Sequence, residues 1–163
     1  MRNYIIILSV FAIFCTFAAC DNDEQCHREN YVMMKIGFYK SVIDTLGRQT
    51  NSTATPTITA NGSGRDSLLY NGVATQYINL PLNKLSNVSS FDIIINDTIE
   101  TFTVWHTNHE EYLSFECGYI TFFTIDSCKI GKNYVDSVSF INNSVNTQNA
   151  ENFRFYHRYD YRQ

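Results

Sequence analysis

Beyond residue 30, no window of this chain keeps the three-to-four-residue apolar spacing of a helix for two turns. Strands are therefore the regular structure open to it. The composition agrees: 12 Phe and 11 Tyr stand against two Pro and one Trp, and Thr, Ser and Asn are abundant. Residues 31–39 alternate, with Val32, Met34, Ile36 and Phe38 on one face and Lys35 on the other. Residues 41–46 are expected to continue that strand past a turn or bulge near Gly37. Residues 47–64 read as a long loop with one short strand at 57–60, and residues 67–70 and 76–80 as short strands before Pro81 leaves the sheet.

Residues 91–95 and 98–106 are β-rich runs on either side of Asn96-Asp97. Both of those residues tolerate the positive φ that a tight hairpin turn needs, so the spacing predicts a hairpin. Residues 108–111 are expected to make the next connection. Residues 112–125 read as one long strand, with Leu113, Phe115, Cys117 and Tyr119 on one face and a bulge at Gly118. Residues 134–141 and 153–161 complete the set. The last run sets Phe153, Phe155, His157, Tyr159 and Tyr161 against Arg154, Tyr156, Arg158 and Asp160. Roughly seven to nine short strands joined by turns predict an all-β fold. An antiparallel β-sandwich, immunoglobulin-like or related, leads; an up-and-down β-barrel is the alternative.

The N-terminus carries a different signal. Arg2 is followed by an almost unbroken apolar run to Phe17, then Ala18-Ala19-Cys20. A charged head, an apolar stretch and small residues at the cut are the parts of a secretory signal. The run is shorter than the roughly 20 residues a spanning helix needs. The cysteine at the cut makes this a lipoprotein processing site, with Cys20 acylated. The expected organisation is a signal peptide at 1–19, a lipidated tether at 20–29 and a single β domain at 30–163. The predicted location is the cell envelope, as an outer-membrane lipoprotein facing the periplasm or the surface. The chain carries net charge −4 and no basic block, which excludes nucleic acid as a partner class.

Three cysteines remain once Cys15 leaves and Cys20 is acylated. An oxidising envelope favours one disulfide and one leftover thiol. Cys117 falls on the apolar face of a long strand and Cys26 flanks the first strand, so Cys26–Cys117 is the expected pair, with Cys128 free. Cys117–Cys128 across a hairpin is the alternative.

The acidic run Asp21-Asn22-Asp23-Glu24 resembles the export signal that Bacteroidota lipoproteins carry just after the lipid cysteine. A wider resemblance rests on Cys26, on Lys35-Ile36-Gly37-Phe38-Tyr39, on Phe115-Glu116-Cys117-Gly118-Tyr119, on Asp136-Ser137-Val138, on Asn146-Thr147 and on Glu151-Asn152-Phe153 to Tyr156. In that order these residues resemble an uncharacterised family of Bacteroidota lipoproteins, a domain of unknown function. The resemblance implies an envelope-anchored β domain and implies no activity.

The densest group of ligand-type residues is His106, His109, Glu110 and Glu111. Paired zinc-binding histidines usually sit one turn apart on a helix, and these do not. Residues three apart on a strand point to opposite faces, so His106 and His109 are not expected to share a metal. No serine sits in a nucleophile elbow, and Asn61-Gly62-Ser63-Gly64 lacks the lysine of a phosphate loop. No cofactor motif is present. Asp-hydroxyl-aliphatic triplets place Thr45, Ser67, Thr98 and Ser137 as candidate O-glycosylation sites by resemblance to the Bacteroidota acceptor. The same triplets also suit turns that lead into strands. The expected function is a non-catalytic binding or structural module held to the membrane by lipid, with an envelope protein or glycan as partner. The aromatic face of the last strand is expected to lie in the core; the alternative is an exposed aromatic platform there, joined by Trp105, which would suit a sugar or peptide. An envelope hydrolase near His106, His109, Glu110 and Glu111 is the alternative.

Overall fold

A computed structural model describes residues 32–43, 48–64, 67–115 and 117–159. Cys20, Cys26 and Thr45 lie outside them, as does the expected signal peptide. The described residues form eleven strands and no helix. They are β1 (Met34–Ile43), β2 (Gln49–Thr53), β3 (Thr57–Gly62), β4 (Leu68–Ala74), β5 (Tyr77–Leu80), β6 (Val88–Ile95), β7 (Thr98–Ser114), β8 (Gly118–Ile130), β9 (Ser137–Phe140), β10 (Ser144–Val145) and β11 (Glu151–Tyr159).

Two sheets pack face to face as a β-sandwich, and neither closes into a barrel. One sheet runs β10-β8-β7-β6-β3-β4 and is antiparallel throughout. The other runs β2-β1-β11-β9, with β5 on the same edge of β1 as β2. β5 pairs the first half of β1 and β2 the second half. At its centre β1 pairs β11 in parallel, from Ile36 opposite Phe153 to Val42 opposite Tyr159. That parallel pair corrects the purely antiparallel expectation. Parallel neighbours need a long crossover, and here it contains all the other nine strands, including the whole of the other sheet.

Alternation builds the core. Phe91, Ile93 and Ile95 of β6 and Phe102 and Val104 of β7 face Met34, Ile36 and Phe38 of β1 and Phe153 and Phe155 of β11. Phe102 meets Phe153 and Phe155 edge-on, at 5.3 and 5.0 Å between ring centroids. The β6–β7 turn is as the spacing predicts: Asn96 and Asp97 take φ of 44° and 68°.

Other expectations change. Residues 47–64 hold two strands, β2 and β3, rather than a loop with one. No turn occurs near Gly37, but the pairing with β11 does bulge just before it: Lys35 pairs Glu151 and Ile36 pairs Phe153, which leaves Asn152 extra. At Gly37 a Cβ would collide with the Glu151 carboxylate. Glycine there serves close approach, not a turn. Residues 108–111 are no connection: β7 continues to Ser114, paired with β8 throughout. The expected single strand 112–125 is instead broken at a turn, and Gly118 takes φ of 68° there. A bulge does occur further along β8. Trp105 pairs Ser127 and His106 pairs Ile125, which leaves Asp126 extra. The inward phase then moves from Phe123 and Ile125 to Cys128 and Ile130.

The two ends of the sandwich can be told apart by their hydrogen bonds. At one end the Lys35 N–H donates to Asn152 Oδ1, and Asn152 Nδ2 donates to the carbonyls of Asn142 and Ser144. Ser144 pairs Thr124, which pairs Thr107. The start of β1 and the middle of β7 therefore share one end. At the other end Glu100 Oε1 accepts the N–H groups of Tyr134 and Val135, and His157 Nδ1 donates to the Tyr134 carbonyl.

Candidate functional site

The inward phase that gives β6 its Phe91, Ile93 and Ile95 also places Ser89 inside. On β7 the phase of Phe102 and Val104 does the same for His106. Ser89 is 6% exposed and His106 1%. Ser89 Oγ lies 2.9 Å from His106 Nε2, and His106 Nδ1 lies 2.7 Å from Asn108 Oδ1. Asn108 Nδ2 points to the carbonyls of Asn83, Lys84 and Ser86, which fixes the amide's orientation. Its Oδ1 must then accept, so His106 carries its proton on Nδ1 in the neutral ring. Nε2 accepts from the Ser89 hydroxyl, and Ser89 Oγ accepts the Asn83 N–H at 2.8 Å. The ring is closed, with every member satisfied. The His106 N–H adds a bond to the Asn87 carbonyl, and the imidazole stands edge-on to Phe123.

This network ties residues 83–88 to the sheet. That segment forms one wall of an open groove of about 710 Å³. Ser63, Leu69, Pro81, Val88, Ser89 and Ser90 also line it. Leu85 stands at the groove with 98% of its surface exposed. Serine hydroxyls and Lys84 alternate with the aliphatic groups, and Phe91 is the only aromatic lining residue.

The residues singled out from the sequence are dispersed. His106 is interior, whereas His109, Glu110 and Glu111 lie exposed on the ribbon that β7 and β8 extend. No group of three or more metal-ligating side chains occurs among the described residues. Phe153 and Phe155 belong to the core, as expected for that face of the strand, and so form no exposed platform. The outward face of the same sheet instead gathers Tyr39, Tyr77, Tyr156, Lys35 and Arg154. There the Tyr39 hydroxyl donates to Glu151 at 2.8 Å, and Arg154 Nε donates to the other Glu151 oxygen. Desolvation, with the bonds to Tyr77 and Glu151, raises the Tyr39 pKa well above the usual phenol value. Trp105 is partly exposed beside Val88. Ser67 and Ser137 are exposed and Thr98 half-buried, each at the start of a strand. Cys117 is disulfide-bonded and Cys128 is free. This excludes the Cys117–Cys128 bridge. Burial pushes the Cys128 thiol up.

Sequence reasoning missed Ser89 and Asn108, which lie far from one another in the chain. One signal was present. Ser89 and His106 are polar residues on the apolar phase of their strands, and such a residue needs a partner inside.

No curated protein and no solved structure matches the chain. Residues 55–157 match a family of unknown function, DUF6452. The stretch spans β3 to most of β11, including the groove and the network beneath it, and leaves β1 and β2 outside. The chain belongs to the DUF6452 family.

Proposed function

We propose that this protein is a lipid-anchored module of the cell envelope that acts by binding, and that the groove beside residues 83–88 receives an apolar segment of a partner protein. The observation that carries this reading is Leu85, fully presented on a wall that three half-buried polar contacts and one exposed one hold in place. A loop leucine exposed to water gains nothing for the free domain. Fixing its backbone beforehand removes an ordering cost from binding. The near absence of aromatic lining favours a protein segment over a sugar, which binds best against ring faces. The apolar run ending in Ala18-Ala19-Cys20 supports the membrane anchor, and the acidic residues after it support export in a Bacteroidota envelope. A photo-crosslinking residue placed at Leu85 in the full chain, in cells, is expected to trap a discrete polypeptide. The same probe at exposed Ile99 is expected to trap none. Adducts removed by glycosidases would point to a glycan instead, and equal labelling at both sites would contradict a groove-specific partner.

A hydrolase is the second reading, and the Ser89–His106–Asn108 alignment favours it. Nucleophile, base and orienting group stand at hydrogen-bonding distances. Against it, Ser89 lies on a regular strand, is nearly buried, and already accepts a backbone N–H. Ser89 does line the groove, but its hydroxyl is committed to His106 and to the Asn83 N–H.

A further inference from the structure

β7 and β8 outgrow their sheet. β6 pairs β7 only from Thr98 to Trp105, and β10 touches β8 only at Phe123 and Thr124. Past that level residues 107–114 pair with β8 alone. The two strands form a ribbon that stays packed as far as the buried Ile120 and Thr121 of β8, opposite Glu111 and Glu110, and projects beyond them. Its tip exposes apolar side chains, Phe115 at 93%, Tyr119 at 67% and Tyr112 at 58%, with Leu113 beside them, and the sequence sets one carboxylate, Glu116, after Phe115. Tyr112 and Tyr119 stack edge to face at 5.4 Å across the ribbon. Nothing within the described residues covers these side chains.

One observation says what they face. The ribbon leaves the sandwich at the end where β1 begins, through the contacts of Lys35, Asn152, Ser144, Thr124 and Thr107. The tip is thus at the end of the sandwich where the described chain starts. From Cys20 to Val32 the chain spans at most about 40 Å, enough to bring Cys20 level with the tip.

We infer that the β7–β8 tip is a membrane-contacting element: Phe115, Leu113, Tyr112 and Tyr119 enter the interfacial layer of the bilayer to which Cys20 is anchored. Aromatic rings with a hydroxyl at one end suit the boundary between headgroups and acyl chains. Glu110 and Glu111, exposed one step behind the tip, stay in water and keep the insertion shallow. The sandwich then stands upright. Ile99, at the far end of β7, is held roughly 50 Å from the tip, and Leu85 looks sideways along the membrane toward neighbouring envelope proteins.

The inference rests on the lipid anchor proposed above, and the test separates the two. The full-length chain is produced in a host that processes lipoproteins and is reconstituted in phosphatidylcholine vesicles brominated on their acyl chains. Trp105 is the single native tryptophan. Phe115→Trp and Ile99→Trp are each made in a Trp105→Phe background, and flotation is measured alongside fluorescence. The expected result is co-flotation of both, at least two-fold quenching of Phe115→Trp, and no quenching of Ile99→Trp. Co-flotation without quenching at 115 keeps the anchor and overturns the tip. Equal quenching at both positions overturns the upright orientation, and with it the inference. Failure to float overturns anchor and tip together. In the native chain, slower deuterium uptake by residues 107–115 on vesicles than in detergent-free solution is the matching result, and unchanged uptake contradicts it.

Discussion

Phe102→Ala is expected to cost about 3–5 kcal/mol, the usual toll of removing a fully buried aromatic ring. Phe102 is inaccessible to solvent and lies in edge contact with Phe153 and Phe155. Phe155 in turn meets Phe38, and Phe153 meets Phe140. One ring on β7 therefore joins three strands of the opposite sheet. Domains of this size are stable by only about 5–15 kcal/mol, so the loss is a large fraction of the total. Urea unfolding measures it directly, and Phe102→Leu should cost well under half as much because most of the volume stays filled. A loss below about 1 kcal/mol for the alanine variant would mean that the two sheets do not share this core.

Asn108→Asp is expected to destabilise by about 1–3 kcal/mol, although it resembles the more familiar orienting group of a catalytic relay. Asn108 Nδ2 donates toward three backbone carbonyls. A carboxylate has no such hydrogens and sets oxygen against oxygen. Asn108→Ala should cost a similar amount, since it leaves the His106 Nδ1–H without its acceptor in a buried site. Thermal melts of both variants decide the role of this residue. If Asn108→Asp is as stable as the native chain, the amide is not holding residues 83–86, and the clamp is not what fixes the groove wall.

The parts of the fold that local sequence encodes were legible, and the parts that depend on distant partners were not. Asn96-Asp97 announces its hairpin because the two positive φ values are set by the residues themselves. The inward phase of β1 could be read directly, since Val32, Met34, Ile36 and Phe38 fall on one face and all are buried. By contrast, His106 to Glu111 looks like a turn because it is polar. It is a strand because β8, further along the chain, supplies its hydrogen bonds, while both faces beyond Asn108 meet water. The parallel pairing of β1 with β11 joins the two ends of the domain, beyond the reach of any periodicity. The candidate site has the same character. Asn83, Ser89, His106 and Asn108 come from a loop and two strands, and only the packed sheet closes their ring.

Whether the buried ring is a clamp or a relay is the question on which the proposed function turns. Reaction of the full-length protein with a fluorophosphonate, followed by peptide mass mapping, asks it most directly. A serine activated by His106 would be phosphonylated. The expected result is no adduct on Ser89 in the folded protein over hours. A stoichiometric adduct on Ser89 in native conditions, absent after unfolding in urea, would contradict the binding module and establish the hydrolase.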